Sequence, residues 1–244
     1  MNARRRLRGA WALTVLLTIG TLGAARADSG EDDRIRQRVE ARLVGQVNVH
    51  IESFGIQVQE GIVHLTGFVD SVGEKNRADR VVGGIVGVRG IRNDLQIRAS
   101  DQSELSITQE VSRRLDSRTR FRKTPVQVTV SGTEVTLSGA VERALDRLDA
   151  EEIAADVPGV TKVINSLQVR SEGSVTPEVI RSRVTSILTN PLTFGVIRNL
   201  QVAVEQGTVT LSGTAARESD RLQAERLTLG VPGVVGVINL ITLG

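Results

Sequence analysis

The sequence has no cysteine, two histidines and a single long hydrophobic stretch, and each scarcity removes a class of function. Without cysteine there is no disulfide framework, no thiolate metal site and no residue to carry a lipoprotein's acyl anchor. His50 and His64 lie in different elements, and neither sits in a metal-ligand spacing such as His-x-x-x-His. No Gly-x-Ser-x-Gly elbow occurs. The carboxylates are scattered, with no pair set up to divide acid from base. The chain is therefore expected to be no enzyme, and to use no metal and no cofactor.

The one hydrophobic stretch, Gly9 to Ala24, follows Arg4, Arg5, Arg6 and Arg8 and precedes Ala25-Arg26-Ala27. A positive start, an apolar middle and small residues at the two recognised positions are the parts of a secretory signal peptide. At about 16 residues the stretch is short for a bilayer span, which needs roughly 20. Residues 1–27 are expected to be removed after Ala27, leaving an exported, periplasmic, soluble chain. The overall excess of 31 basic over 28 acidic side chains comes from this leader. It holds five Arg and no acid, so beyond Ala27 there are 26 basic and 28 acidic groups, a net of −2. No global footprint for nucleic acid remains.

What the chain does have is internal repetition. Val63-His64-Leu65-Thr66-Gly67, Val135-Thr136-Leu137-Ser138-Gly139 and Val209-Thr210-Leu211-Ser212-Gly213 are spaced by 72 and then 74 residues. Twenty residues past each closing glycine stand Gly87, Gly159 and Gly233, and six further on stand Asn93, Asn165 and Asn239. A period of roughly 73 is too long for a solenoid repeat and suits a small domain. Three modules are expected, over 31–98, 102–171 and 174–244.

Each module has the same pattern. Apolar residues spaced by four come first: Ile35, Val39, Leu43; Ile107, Val111, Leu115; Ile180, Val184, Leu188. That is one face of a helix. Two alternating runs joined by a short glycine-containing turn follow, such as Phe54-Ile56-Val58 and Val63-Leu65-Gly67, and predict a hairpin buried on one side. A helical period then returns at Ala78, Val81, Val82, Ile85, with Ser71 and Glu74 spaced as a capping box. Ala150, Ile153, Ala154, Val157 and Ala224, Leu227, Thr228, Val231 repeat it, ended by Pro158-Gly159 and Pro232-Gly233. A closing strand carries the repeated Asn. The fold class is α+β: three tandem small α-β-β-α-β modules, each a three-stranded mixed sheet with two helices on one face. Modules of about 70 residues are marginal alone, so packing between modules or self-association is expected.

This pattern, Val-x-Leu-x-Gly followed about twenty residues later by Gly, then an apolar strand with Asn, resembles the BON domain, named for bacterial osmotically inducible and nodulation proteins. All three repeats carry it. The first sets Gly83-Gly84 within its second helix, and the second moves its turn glycine to Gly132. The resemblance implies a non-catalytic envelope protein of osmotic-stress protection, with affinity for phospholipid membranes and no catalytic residues.

The repeated Gly67, Gly139, Gly213, Gly87, Gly159, Gly233, Asn93, Asn165 and Asn239 are read as structural. The first six supply unusual dihedrals or close approach, and the amides tie down local backbone. For lipid binding the candidates are Arg113, Arg114, Arg118, Arg120, Arg122 and Lys123, opposed within Ser112 to Lys123 only by Asp116. This run is either a patch for an anionic phospholipid surface, or a solvated helix end that pairs with the acids around Asp146, Asp149, Glu151 and Glu152. Leu192 and Phe194, in an apolar loop, either enter a membrane or a partner's groove or cap their own core. Gly84-Ile85-Val86-Gly87 and Gly230-Val231-Pro232-Gly233 imitate the Gly-x-x-Gly loop of a KH module, but they lie between a helix and a strand, so no nucleic acid is expected. The expected partners are an anionic membrane surface or, through protein contacts, envelope proteins served as an adaptor or chaperone.

Overall fold

The structure, a computed structural model, describes residues 22–46, 54–170, 175–191 and 197–244. The leader up to Thr21, His50, Leu192 and Phe194 lie outside the described residues. The first repeat consists of α1 (Leu22–Gln46), β1 (Phe54–Gln59), β2 (Ile62–Val69), α2 (Val72–Gly83) and β3 (Gly90–Ile97). The second consists of α3 (Glu104–Asp116), a short α4 (Thr119–Lys123), β4 (Gln127–Ser131), β5 (Glu134–Val141), α5 (Ala144–Ala155) and β6 (Lys162–Val169). The third consists of α6 (Pro177–Thr189), β7 (Arg198–Glu205), β8 (Thr208–Ala215), α7 (Glu218–Leu229) and β9 (Gly236–Leu243). Because α1 starts at Leu22, the cleavage point expected after Ala27 falls inside its span.

Each repeat forms one three-stranded sheet with the second strand in the centre. The hairpin pairs antiparallel and the strand after the crossover helix returns parallel, Leu65 facing Asn93, Leu137 facing Asn165 and Leu211 facing Asn239. Turn chemistry explains the hairpins: Glu60-Gly61 and Gln206-Gly207 have positive φ at both central residues, as a type I′ turn requires. In the central strand Gly67, Gly139 and Gly213 hold φ of 124°, 118° and 145°, a region that side-chain-bearing residues avoid.

Three separate apolar cores result, each lined by the two main helices and one sheet face of its repeat. Ile107, Val111 and Leu115 are buried in the second, Ile180, Val184 and Leu188 in the third, and Ile35, Val39 and Leu43 in the first. The opposite sheet faces carry alternating polar residues such as Gln57, His64, Thr136 and Thr210.

Three local expectations are corrected. Gly83-Gly84 end the helix instead of lying inside it: Gly83 is the last residue of α2 and Gly84 caps it, so Ile85 is buried from the following turn. The capping box is also displaced by one residue. Ser71 Oγ accepts from the Glu74 amide, but Glu74 Oε2 accepts from the amide of Asp70, one position before the cap. In the basic segment, α4 forms where only a helix end and loop were expected, because Phe121 turns inward and is 1% exposed.

The modules are joined differently. Between the first two, the Val72 amide donates to Val160 O at 2.9 Å and the Gly159 amide donates to Asp70 O at 2.7 Å. Val72 packs into the second module's core, and Gly73 lies against the carbonyl of Ala155. Between the second and third modules, α7 approaches α5 through charged side chains and a Leu145–Gly230 contact.

Candidate functional site

The six cations singled out between Ser112 and Lys123 do not form one free patch. Arg113 and Arg114 lie one turn past Glu110 on α3, and both donate to its carboxylate. These hydrogen bonds, Arg113 first and then Arg114, hold Glu110 down at about 2 from an ordinary 4.5. Arg114 also donates to Asp156 O. Arg120 turns back toward α5, its Nη2 2.5 Å from Asp149 Oδ2 and its Nε 3.5 Å from Asp146 Oδ1. Its guanidinium lies 5.2 Å from the centre of the Phe121 ring, so α4 is fixed by one apolar anchor and one ionic one. Arg118, which precedes α4, and Arg122 remain exposed, and Arg122 Nε donates to Asp116 O. The side chain of Lys123 lies outside the described residues.

The carboxylates on α5 form a stripe. Asp146, Asp149, Glu152 and the capping Asp156 recur every three or four residues and so share a face. Asp146 is bound by Arg143, whose guanidinium pKa is raised chiefly by that hydrogen bond. Asp149 is shared by Arg120 and by Arg226 of α7. Glu152 is shared by Arg80 of α2 and Arg226, and Asp156 is bound by Arg77 of α2. The three helices therefore stand side by side with the acidic one in the middle. Buried carboxylates persist because each has a cationic partner.

The repeated asparagines make one connection three times. The side-chain amide donates to the crossover helix, at Lys75 O, Arg147 O or Arg221 O, over 2.8–3.1 Å. The side-chain oxygen accepts from the strand amide two residues on, Leu95, Leu167 or Ile241. Gly87, Gly159 and Gly233 have φ of 97°, 86° and 91° at the turn into the last strand. A Cβ at Gly87 or Gly233 would press on Ile35 or Ile180.

His64 meets Asp94 at 2.8 Å on the outer sheet face of the first module, and Arg92 binds the same carboxylate. The histidine hydrogen bond, ahead of Arg92, lowers the Asp94 pKa. An open cleft of about 890 Å³ adjoins them, lined also by Asp32, Arg36 and Gln57. No group of three or more potential metal ligands occurs among the described residues. No helix among the described residues is long and apolar enough to cross a membrane.

Sequence reasoning offered the acids around Asp146, Asp149, Glu151 and Glu152 as one set of partners for the basic run, and Arg120 pairs with two of them, but it missed Phe121 and Arg226. For Phe121 a signal was present, an aromatic residue alone in a run of arginines. For Arg226 there was none, since its partner lies 77 residues away.

A family model described as BON domain matches residues 31–99, 103–171 and 178–244. Osmotically-inducible protein Y of Escherichia coli (strain K12) is 27% identical over 147 residues, 57% of this chain and 73% of that protein. Among solved structures, the C-terminal domain of CdsD, a structural protein of the type III secretion system of Chlamydia trachomatis, aligns at 13% identity. That alignment covers 85% of this chain and 96% of the other, at a TM-score of 0.24. A second CdsD structure aligns at 14% identity, covering 87% and 92%, at a TM-score of 0.23.

Proposed function

We propose that this chain, which belongs to the BON domain family through all three of its modules, is an exported, non-catalytic binding protein of the cell envelope serving in osmotic or envelope stress. The family and the similarity to an osmotically inducible protein support this reading. So does the leader, whose charge and hydrophobic pattern is that of a periplasmic export signal. Its ligand is an anionic phospholipid surface, met by the end of the second module around α4.

The observation that carries the lipid assignment is the exposure of Arg118 and Arg122 on either side of the start of α4, with Arg113 exposed on the preceding helix. Each cation near an anionic surface contributes on the order of 1 kcal/mol, enough together for weak, reversible attachment. Arg120 is not a free ligand here, because Asp146 and Asp149 already hold it.

Vesicle flotation tests this. Wild-type protein should float with vesicles rich in phosphatidylglycerol and not with phosphatidylcholine alone, and the double change Arg118→Ser with Arg122→Ser should cut the floating fraction severalfold. Equal flotation of wild type and double variant removes α4 from the binding face. Arg120 is left intact so that loss of binding is not loss of fold.

A second reading, adaptor or chaperone-like contact with protein, is favoured by β9. This edge strand carries no charge and leaves Ile238 and Leu240 exposed. Such an edge is a ready template for pairing with another strand, including that of a second copy. Association that persists in molar salt without vesicles supports this reading over the first.

A further inference from the structure

We infer that the third module is held by an ionic latch, and that rising ionic strength releases it while the first two modules stay joined. The latch is Arg226 on α7. Its Nη2 lies 2.6 Å from Asp149 Oδ1 and its Nη1 lies 3.7 Å from Glu152 Oε2, both on α5.

Release is feasible because neither acid is left without a partner. Asp149 has a side chain only 9% exposed and would be costly to strand, but Arg120 of its own module holds its other oxygen at 2.5 Å. Glu152 likewise retains Arg80 of the first module at 3.0 Å. Breaking a buried pair is severe when it strands a charge. Here the acid stripe is neutralised with Arg226 in place and with Arg226 gone. Arg226 itself is half exposed and loses little hydration either way.

Among the described residues little else ties the third module to the second. No backbone hydrogen bond crosses between them among the described residues, and no residue of either packs into the other's core cluster. Leu145 lies against Gly230, where an added Cβ would sit 3.4 Å from the leucine Cδ2. The first join also has ion pairs, Arg77 with Asp156 and Arg80 with Glu152, but it adds two backbone hydrogen bonds, Val72 inserted into the second core and Gly73 against the α5 carbonyl of Ala155, which hold it when the ion pairs are screened. Salt shortens the screening length from about 10 Å at 0.1 M to about 3 Å at 1 M and weakens half-exposed ion pairs, while packing and buried backbone bonds are little affected. The two joins should therefore respond differently, the second opening and the first staying closed. This holds whether or not the protein binds lipid.

The absence of cysteine allows dye pairs to be placed in the full chain at exposed positions. Gln59 with Ser131 spans the first join, and Ser131 with Glu205 spans the second. Single-molecule energy transfer should show the second pair shifting to a low, broad distribution between about 0.01 and 1 M NaCl, and the first pair unchanged. Sucrose at matched osmolality should leave both unchanged. Arg226→Gln should raise the released population about tenfold at low salt, on the scale of two partly exposed ion pairs. The inference is overturned if the second pair ignores salt, if Arg226→Gln matches wild type, or if both pairs shift together.

Discussion

Gly73→Ala separates the stability of a module from the stability of its join. Gly73 is the second residue of α2, where alanine is a better helix former by up to about 1 kcal/mol. Considered alone, the first module should gain. In the joined molecule an added Cβ would lie 2.1 Å from Asp156 Oδ1 and 2.8 Å from the carbonyl carbon and oxygen of Ala155. The Asp156 side chain can swing away, but the backbone of α5 cannot. Overpacking of this kind costs about 1–3 kcal/mol, so α2 must back off. The amides of Val72 and Gly159, which donate across the join, report the change directly. If the opening free energy of the join falls by that amount, their hydrogen exchange should accelerate roughly 5- to 150-fold. The Leu65 amide, in the central strand of the first module, should exchange as before. Unchanged protection of Val72 and Gly159 would refute the account of the join.

Two further outcomes are expected. Asn165→Ala removes the tie between α5 and β6 and leaves the Leu167 amide without its acceptor, a loss of about 1–3 kcal/mol. Differential scanning calorimetry should show the second module melting about 4–8 °C lower per kcal/mol lost. Asn165→Asp should not rescue it, because a carboxylate would then face Glu151. Glu110, held at about 2 in the fold, stabilises α3 fully above its ordinary 4.5 and loses that contribution as pH falls through about 2. Glu110→Gln should therefore be less stable than wild type at neutral pH, by on the order of 1 kcal/mol or less after solvent screening. Acid titration of both proteins should show the gap closing between about pH 4.5 and 2, and a constant gap would contradict the pairing with Arg113 and Arg114.

Much of the fold was legible because its signals are local. Apolar spacing by four at Ile107, Val111 and Leu115 specifies a buried helix face, and alternation at Val135 and Leu137 specifies a buried strand face. Repetition strengthened the reading, since the same register written three times makes accident a poor explanation. Errors arose where one turn of chain had two options. Gly83-Gly84 can interrupt a helix or end one, and the contacts of Ile85 with the core select the ending.

The candidate site was less legible, for a different reason. Six cations within twelve residues look like a patch only while their surroundings are unknown. Arg113 and Arg114 find Glu110 one turn back, which the sequence allowed. Arg120 finds Asp146 and Asp149 because Phe121 is drawn inward and rotates α4 toward α5.

By itself, the sequence determined the repeat, the order of helices and strands, the sheet register implied by the hairpins and the family to which the chain belongs. Side-chain periodicity and turn chemistry act over a few residues and can be read in one dimension. Only the tertiary structure decided which charges are free, which are shared, and how each module meets the next. Arg226 and Asp149 are 77 residues apart, and Arg77 and Asp156 are 79 apart. Ion pairing depends on distance in space and on burial, and neither exists until the helices stand side by side.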